Sequence, residues 1–120
     1  PPKGAFFVGY LDDEPVATGA WRLRDDVTFQ GTTKTGEIKR MYVVPAHHRK
    51  GLATKMLAHL ESTAQATGAA AMVLETGSQQ PEAIALYRRC GYVEIPGFGF
   101  YRDSPESRSY GKALSGLGPS

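Results

Sequence analysis

From Ala5 to Leu23 the chain shows two β-type runs, Ala5–Leu11 and Pro15–Leu23, separated by the polar cluster Asp12, Asp13 and Glu14. Short acidic side chains bond their own backbone and tolerate turn conformations, so this pattern predicts a hairpin. The stretch Val27–Thr35, rich in Thr and Gly and without periodicity, reads as a loop entering a third strand, Gly36–Val44. In that strand Ile38, Met41, Tyr42, Val43 and Val44 are apolar, while Glu37, Lys39 and Arg40 are not. Pro45, which has no N–H to donate, ends the pairing. Leu52, Met56, Leu57 and Leu60 then recur at helical spacing among strong helix formers, predicting an amphipathic helix that ends near Gly68. Ala71–Thr76 is a short, nearly continuous apolar run, as in a strand covered on both faces. A second helix follows, with Pro81 in its first turn, Ser78 to Gln80 as its cap, Ile84 and Tyr87 on one face, and Gly91 closing it. Tyr92–Ile95, Gly97–Tyr101 and Arg108–Leu114 read as short strands divided by Pro96 and by the turn Asp103 to Glu106. These elements make an α/β fold with a mixed sheet.

At 120 residues the chain suits one domain, expected to span residues 1–115 with a frayed tail at 116–120. Its 41% hydrophobic and 22% charged content is that of a chain able to bury a core. The apolar runs near Ala5–Leu11 and Ala69–Leu74 fall far short of the roughly 20 residues a membrane-spanning helix needs. The N-terminal residues lack the pattern of a secretory signal, and a single cysteine, Cys90, cannot close an intrachain disulfide, so a cytoplasmic location is expected. A net charge of +2 is too small for general nucleic-acid binding.

The informative charge is local: His47, His48, Arg49 and Lys50 directly precede Gly51 and the first helix. Backbone N–H groups at a helix N-terminus, with the positive end of its dipole, hold phosphate, and a glycine lets the backbone approach closely. A solvated basic turn that merely starts a helix would have the same residues. The three glycines of a dinucleotide loop and the Gly-Lys-Ser/Thr ending of a P-loop are both absent.

The segment Glu37–Glu61, EIKRMYVVPAHHRKGLATKMLAHLE, resembles the central acetyl-CoA motif of the GNAT acetyltransferase family, a strand feeding an Arg/Gln-x-x-Gly-x-Gly/Ala loop and a helix. Leu74–Tyr92, LETGSQQPEAIALYRRCGY, is similar to the family's second signature, a strand and then a helix carrying Leu-Tyr followed by Gly-Phe or Gly-Tyr. The resemblance covers most of the chain. It implies a mostly antiparallel central sheet with flanking helices, of the acyl-CoA N-acyltransferase kind, and acetyl transfer from acetyl-CoA, as co-substrate, to an amine. The family's usual first strand and two helices, which precede the hairpin, have no counterpart ahead of Ala5. Gly51 and Ala53 match the Gly-x-Gly/Ala steps, so the backbone of His48, Arg49, Lys50, Gly51, Leu52, Ala53 and Thr54 would cradle the pyrophosphate. His48 departs from the family's Arg or Gln. Met41, Tyr42 and Val43 would pair with the pantetheine arm, and the N–H of Val43 would polarise the thioester carbonyl.

An acceptor amine is protonated at neutral pH, so a base is needed before attack. Glu37 resembles the strand glutamate that serves as base in histone-type members; it also reads as a strand carboxylate paired with Lys39 or Arg40. Tyr87 matches the tyrosine that protonates the departing thiolate, or is an ordinary core tyrosine. Gln80 stands where many members have Asn and would bond the pantetheine, or caps the helix. Cys90 has no marked base partner in sequence, and His47, His48 and His59 lack metal-ligand spacing, so no metal is expected. A small-molecule amine is the expected acceptor rather than a protein, with no nucleic acid or membrane as partner. An uncovered sheet edge at the hairpin favours a homodimer. The alternative from another class is a non-catalytic acyl-CoA-binding sensor or assembly module.

Overall fold

A computed structural model describes residues 3–44, 51–78, 80–98 and 105–114. Six strands and two helices follow one another along the described residues: β1 (Gly4–Leu11), β2 (Glu14–Arg24), β3 (Thr35–Val43), α1 (Leu52–Ala66), β4 (Ala71–Gly77), α2 (Pro81–Arg89), β5 (Val93–Ile95) and β6 (Ser107–Ala113). They form one sheet in the order β1-β2-β3-β4-β6-β5. Among these strands only β3 and β4 are parallel neighbours; every other pair is antiparallel.

Each element follows from its local chemistry. Asp12 and Asp13 both take positive φ, 51° and 68°, which gives the two-residue turn whose twist matches a hairpin. Helix α1 presents Met56, Leu57, Leu60 and Ala64 to the sheet and stops where Gly68 takes a φ of 118°. Helix α2 opens with Pro81 in its first turn, but its N-cap, Gln80, makes no side-chain capping bond. The run expected as a strand at Gly97–Tyr101 is not one where it is described: Gly97 and Phe98 lie outside regular structure, and 99–101 fall outside the described residues. Pro96 cannot donate to a ladder, and Phe98 instead packs against a second apolar cluster.

Both helices lie on one face, where Met56, Leu57 and Leu60 of α1 and Leu86 and Tyr87 of α2 share one core; two successive crossovers in the same direction along the sheet give this when both follow the right-handed rule. Here sits the main core, with Trp21, Ile38, Met72, Leu74, Tyr92 and Tyr110 packed together with Tyr87 of α2 and the apolar face of α1. The approach is close at Gly19, where a Cβ would stand 2.9 Å from Met56 Cγ and 3.0 Å from Leu60 Cδ1. Trp21 fixes the crossing by donating its indole N–H to Thr63 Oγ1 at 2.8 Å.

The opposite face is covered differently. The segment expected as a plain loop at 27–35 makes a tight turn, with Phe29 and Thr32 exchanging backbone bonds of 2.9 and 3.0 Å. It drops Val27 and Phe29 onto Ala71 and Val73. Gly111 makes room for this: a Cβ there would lie 2.6 Å from Phe29 Cε1. Gly111→Val should therefore push Phe29 out of its seat and cost about 2–3 kcal/mol, in the range of overpacked cores. Urea unfolding should show a lower midpoint at unchanged slope; an unaltered midpoint would mean that Phe29 contributes nothing to the fold.

Candidate functional site

Strands β3 and β4 do not stay together. Their parallel register runs from Thr35 opposite Ala71 to Ile38 opposite Leu74 and then ends. Beyond it, β3 pairs with β2 alone, while Glu75, Thr76 and Gly77 pair with Ser109, Arg108 and Ser107 of β6. The sheet thus opens a gap at the carboxyl ends of two parallel strands, the place where open α/β sheets take ligands.

A bulge shapes the β3 side of the gap. Thr18 pairs with Tyr42 and Ala20 with Lys39, so Arg40 and Met41 together stand opposite Gly19. Arg40 adopts a φ of 58°, and its carbonyl accepts a 2.8 Å bond from the Thr18 hydroxyl. The extra residue turns Val43 toward the helical face, where it is buried, and leaves Tyr42 exposed on the other. Val44 donates its N–H to Val16 at 2.9 Å, so strand alternation directs the N–H of Val43 away from β2.

Both helices begin at this gap, and a crevice of about 810 Å³ lies between them. Met41, Tyr42 and Val43 line it from β3; Gly51, Ala53 and Thr54 from the start of α1; Gln80 and Tyr87, among others, from α2. Gly51 is the N-cap, in left-handed conformation at φ 76°, with no side-chain capping bond and no acidic residue in the first turn. The first helical bond runs from Lys55 N–H to Gly51 O, so the N–H groups of Leu52, Ala53 and Thr54 have no helical partner, which suits an anion. Leu52 packs against the core. His48, Arg49 and Lys50, with His47, lie outside the described residues.

Tyr87 is 6% exposed, and burial pushes its hydroxyl up to about 12. It is therefore a neutral donor throughout the physiological range. Its ring meets the edge of Tyr92 at 5.7 Å and 64°. Tyr92 in turn donates its hydroxyl to Glu61 at 2.8 Å, and Lys112 donates to both Glu61 oxygens at 3.1 and 3.2 Å. Burial first, then the Glu61 charge, raises the Tyr92 hydroxyl well above its ordinary range. This network ties α1, β6 and the end of α2 together behind Tyr87. Burial also raises the Cys90 thiol, which leaves it less thiolate and a poorer nucleophile.

Glu37 is not in the crevice. It lies on the face away from the helices, 5% exposed, with Oε1 3.3 Å from Arg22 Nε and 3.1 Å from Arg24 Nη1, and Oε2 3.9 Å from Lys39 Nζ. Arg24 also pairs with Asp26, which draws the aspartate below and the guanidinium above their usual ranges. The ion pairs therefore come from β2 and from Lys39, and Arg40 is spent on the bulge. Glu37→Gln should lower unfolding free energy by about 2 kcal/mol in urea. That is less than the loss of a fully buried pair, because Arg22 is half exposed and Asp26 remains for Arg24. Unchanged stability would show that the cluster is only a surface arrangement.

Sequence reasoning passed over Glu75. It follows Leu74 on β4, half-buried, and its Oε2 is buried without a hydrogen-bond partner. The visible sign was a lone carboxylate at the end of an otherwise apolar strand, AMVLETG. Among the described residues no group of three or more His, Cys, Asp or Glu could hold a metal ion, and no helix is long and apolar enough to cross a membrane.

The sequence model of the acetyltransferase (GNAT) family matches residues 1–92. The chain belongs to the GNAT acetyltransferase family. It is 39% identical over 79 residues to IAA acetyltransferase of Azospirillum brasilense, covering 66% of this chain and 52% of that protein. To the N-acetyltransferase YsnE of Bacillus subtilis it is 32% identical over 108 residues, 88% of this chain and 67% of the relative. The chain thus spans about half to two thirds of the length of these GNAT relatives. Among solved structures, an acyl-CoA N-acyltransferase from Klebsiella pneumoniae superposes with a TM-score of 0.83 at 33% identity, over 94% of this chain and 74% of the other. The GNAT fold expected from the two motifs is therefore the fold found.

Proposed function

We propose that this chain transfers the acetyl group of acetyl-CoA to a primary amine by direct attack within a ternary complex. The observation that carries the reading is the parting of β3 from β4 beside a helix that starts, uncapped, at Gly51. The pyrophosphate would meet the first N–H groups of α1, where dipole and backbone donors both favour negative charge. The pantetheine amides would run along Met41–Val43, on the side of β3 that β4 has left. Gln80, which starts α2 without a side-chain capping bond and lines the crevice, would bond the same arm. The thioester then sits in the gap with Tyr87 beside its sulfur.

In the reaction the amine nitrogen attacks the thioester carbon, and the tetrahedral intermediate collapses with cleavage of the C–S bond. Sulfur departs as thiolate with the Tyr87 hydroxyl donating a hydrogen bond to it, and the proton shed by the attacking nitrogen ends on the sulfur, leaving Tyr87 neutral. A hydroxyl at about 12 is a weaker acid than a thiol at about 8.5, so full transfer to free thiolate is uphill. Its main contribution is to stabilise negative charge as it forms on sulfur. The favoured acceptor is a small-molecule amine; the relative named IAA acetyltransferase supports the small-molecule part of this reading alone.

The test is calorimetric titration of the chain with acetyl-CoA, followed by a panel of amines with coenzyme A thiol release as the readout. One-to-one binding with amine-dependent release is the expected result. Binding without release for any amine would favour an acyl-CoA-binding module, and absence of binding would remove the reading altogether.

A further inference from the structure

We infer that the acceptor is an amine that also carries a carboxylate, of the amino-acid class, and that Lys39 and Arg22 hold this carboxylate on the face of the sheet opposite the two helices. This rests on the acetyltransferase reading above and names its substrate class. A gap between two strands can be entered from either face of a sheet. The coenzyme fills the crevice on the helical face, so the acceptor approaches from the other. Lys39 is the first β3 residue past the last β3–β4 pair, Ile38 with Leu74, and so stands at the rim of the gap. Its ammonium lies near Glu37, which puts it on the face away from the helices. Arg22 reaches the same carboxylate from β2, where it stands opposite Glu37 in register.

The charges in this cluster do not cancel. Arg22, Arg24 and Lys39 face two carboxylates, Glu37 and Asp26, which leaves one positive charge over. Arg24 is engaged by both acids. The other two cations are not used up. Among the described residues Arg22 bonds Glu37 through Nε alone, and its side chain is 56% exposed. Lys39 is 47% exposed, with Nζ 3.9 Å from Glu37, beyond hydrogen-bond reach. A guanidinium edge and an ammonium with free donors, side by side, match the two oxygens of a carboxylate. The opposite rim has the opposite sign. There the first β4 residue past the last pair is Glu75, and alternation along β4 puts it on the face of Ala71 and Val73, away from the helices. Glu75 repels an acid group, so the acceptor's carboxylate turns toward β3.

Anchoring at one end fixes the other. With the carboxylate held at Lys39 and Arg22, the amine a few bonds away is directed into the gap toward the thioester carbon, and the search for a reactive orientation is shortened. Neither cation gives up a proton or meets the reacting atoms. Their contribution is equal in the bound acceptor and in the transition state, so it shows in KM rather than in kcat.

The test measures coenzyme A thiol release by the parent chain, Lys39→Met and Lys39→Arg with a set of amino acids, each beside its own amide. The amide has nearly the same size without the charge, and its amine is the less basic, so amine ionisation by itself favours the amide. The parent should use the best free acid with a kcat/KM at least about 10-fold above that of its amide, the scale of one charged hydrogen bond. Lys39→Met should raise KM for the acid about 10-fold and change KM for the amide by less than about two-fold. Lys39→Arg should restore the preference. Arg24 still bonds Glu37 in Lys39→Met, so its melting temperature should match the parent's. A parent that uses amides as well as acids, or better, would overturn the assignment while the acetyltransferase reading stood. So would a Lys39→Met variant that melts lower and loses acid and amide equally, or an acid preference that survives both Lys39→Met and Arg22→Met. A parent chain that binds acetyl-CoA but releases no thiol with any amine would overturn both.

Discussion

Replacing Tyr87 with Phe should lower kcat about 100-fold and leave acetyl-CoA affinity within about two-fold, as for removal of a single proton donor. The ring, which packs against Tyr92, is retained, so the crevice keeps its shape and only the hydroxyl disappears. The pH dependence adds a check. The hydroxyl acts in its protonated form, and burial pushes its pKa up to about 12, so rising pH removes the donor only as it nears that value. The ratio of parent to variant kcat should accordingly stay flat from neutral pH to about pH 10. A ratio that collapsed near pH 8 would place the acid elsewhere. A parallel fall in coenzyme affinity would make Tyr87 a packing residue.

Gly51→Trp should weaken acetyl-CoA binding by at least about 100-fold, roughly 2.7 kcal/mol. Two effects contribute and can be separated. At φ 76° any residue with a Cβ is strained, by about 1–2 kcal/mol. The space beside it is open, with nothing within 4 Å of an added Cβ, so a small side chain meets strain alone. An indole would also fill the crevice that Gly51 lines. Gly51→Ala is thus the control: it should lower the melting temperature while keeping coenzyme affinity within about ten-fold. Equal affinities for the parent and the Trp variant would show that the coenzyme does not use the start of α1.

Most of the fold was legible because it rests on local periodicity. Leu52, Met56, Leu57 and Leu60 announce α1, the run at Ala71–Thr76 announces β4, and the acidic trio at 12–14 announces the hairpin. The start of α1 was legible because a glycine directly ahead of a helix has a backbone reason to be there. The rest was hidden for identifiable reasons. Val27 and Phe29 sit in a segment with the composition of a loop, and only the sheet beneath shows that they are core. Tyr92, Glu61 and Lys112 lie 31 and 51 residues apart in their bonded pairs, beyond any local pattern. The partners of Glu37 come from β2 because register, not proximity along β3, brings Arg22 and Arg24 to it.

The extra residue in β3 bears on how such a site is inherited. Which side of the sheet Met41–Val43 face depends on register, with Arg40 and Met41 standing against Gly19, and on no particular side chain. Straightening the bulge at constant length would slide Tyr42 opposite Ala17 and put it, in place of Val43, on the helical face, whereas losing one of the two residues opposite Gly19 would leave Val43 opposite Ala17 and its face unchanged.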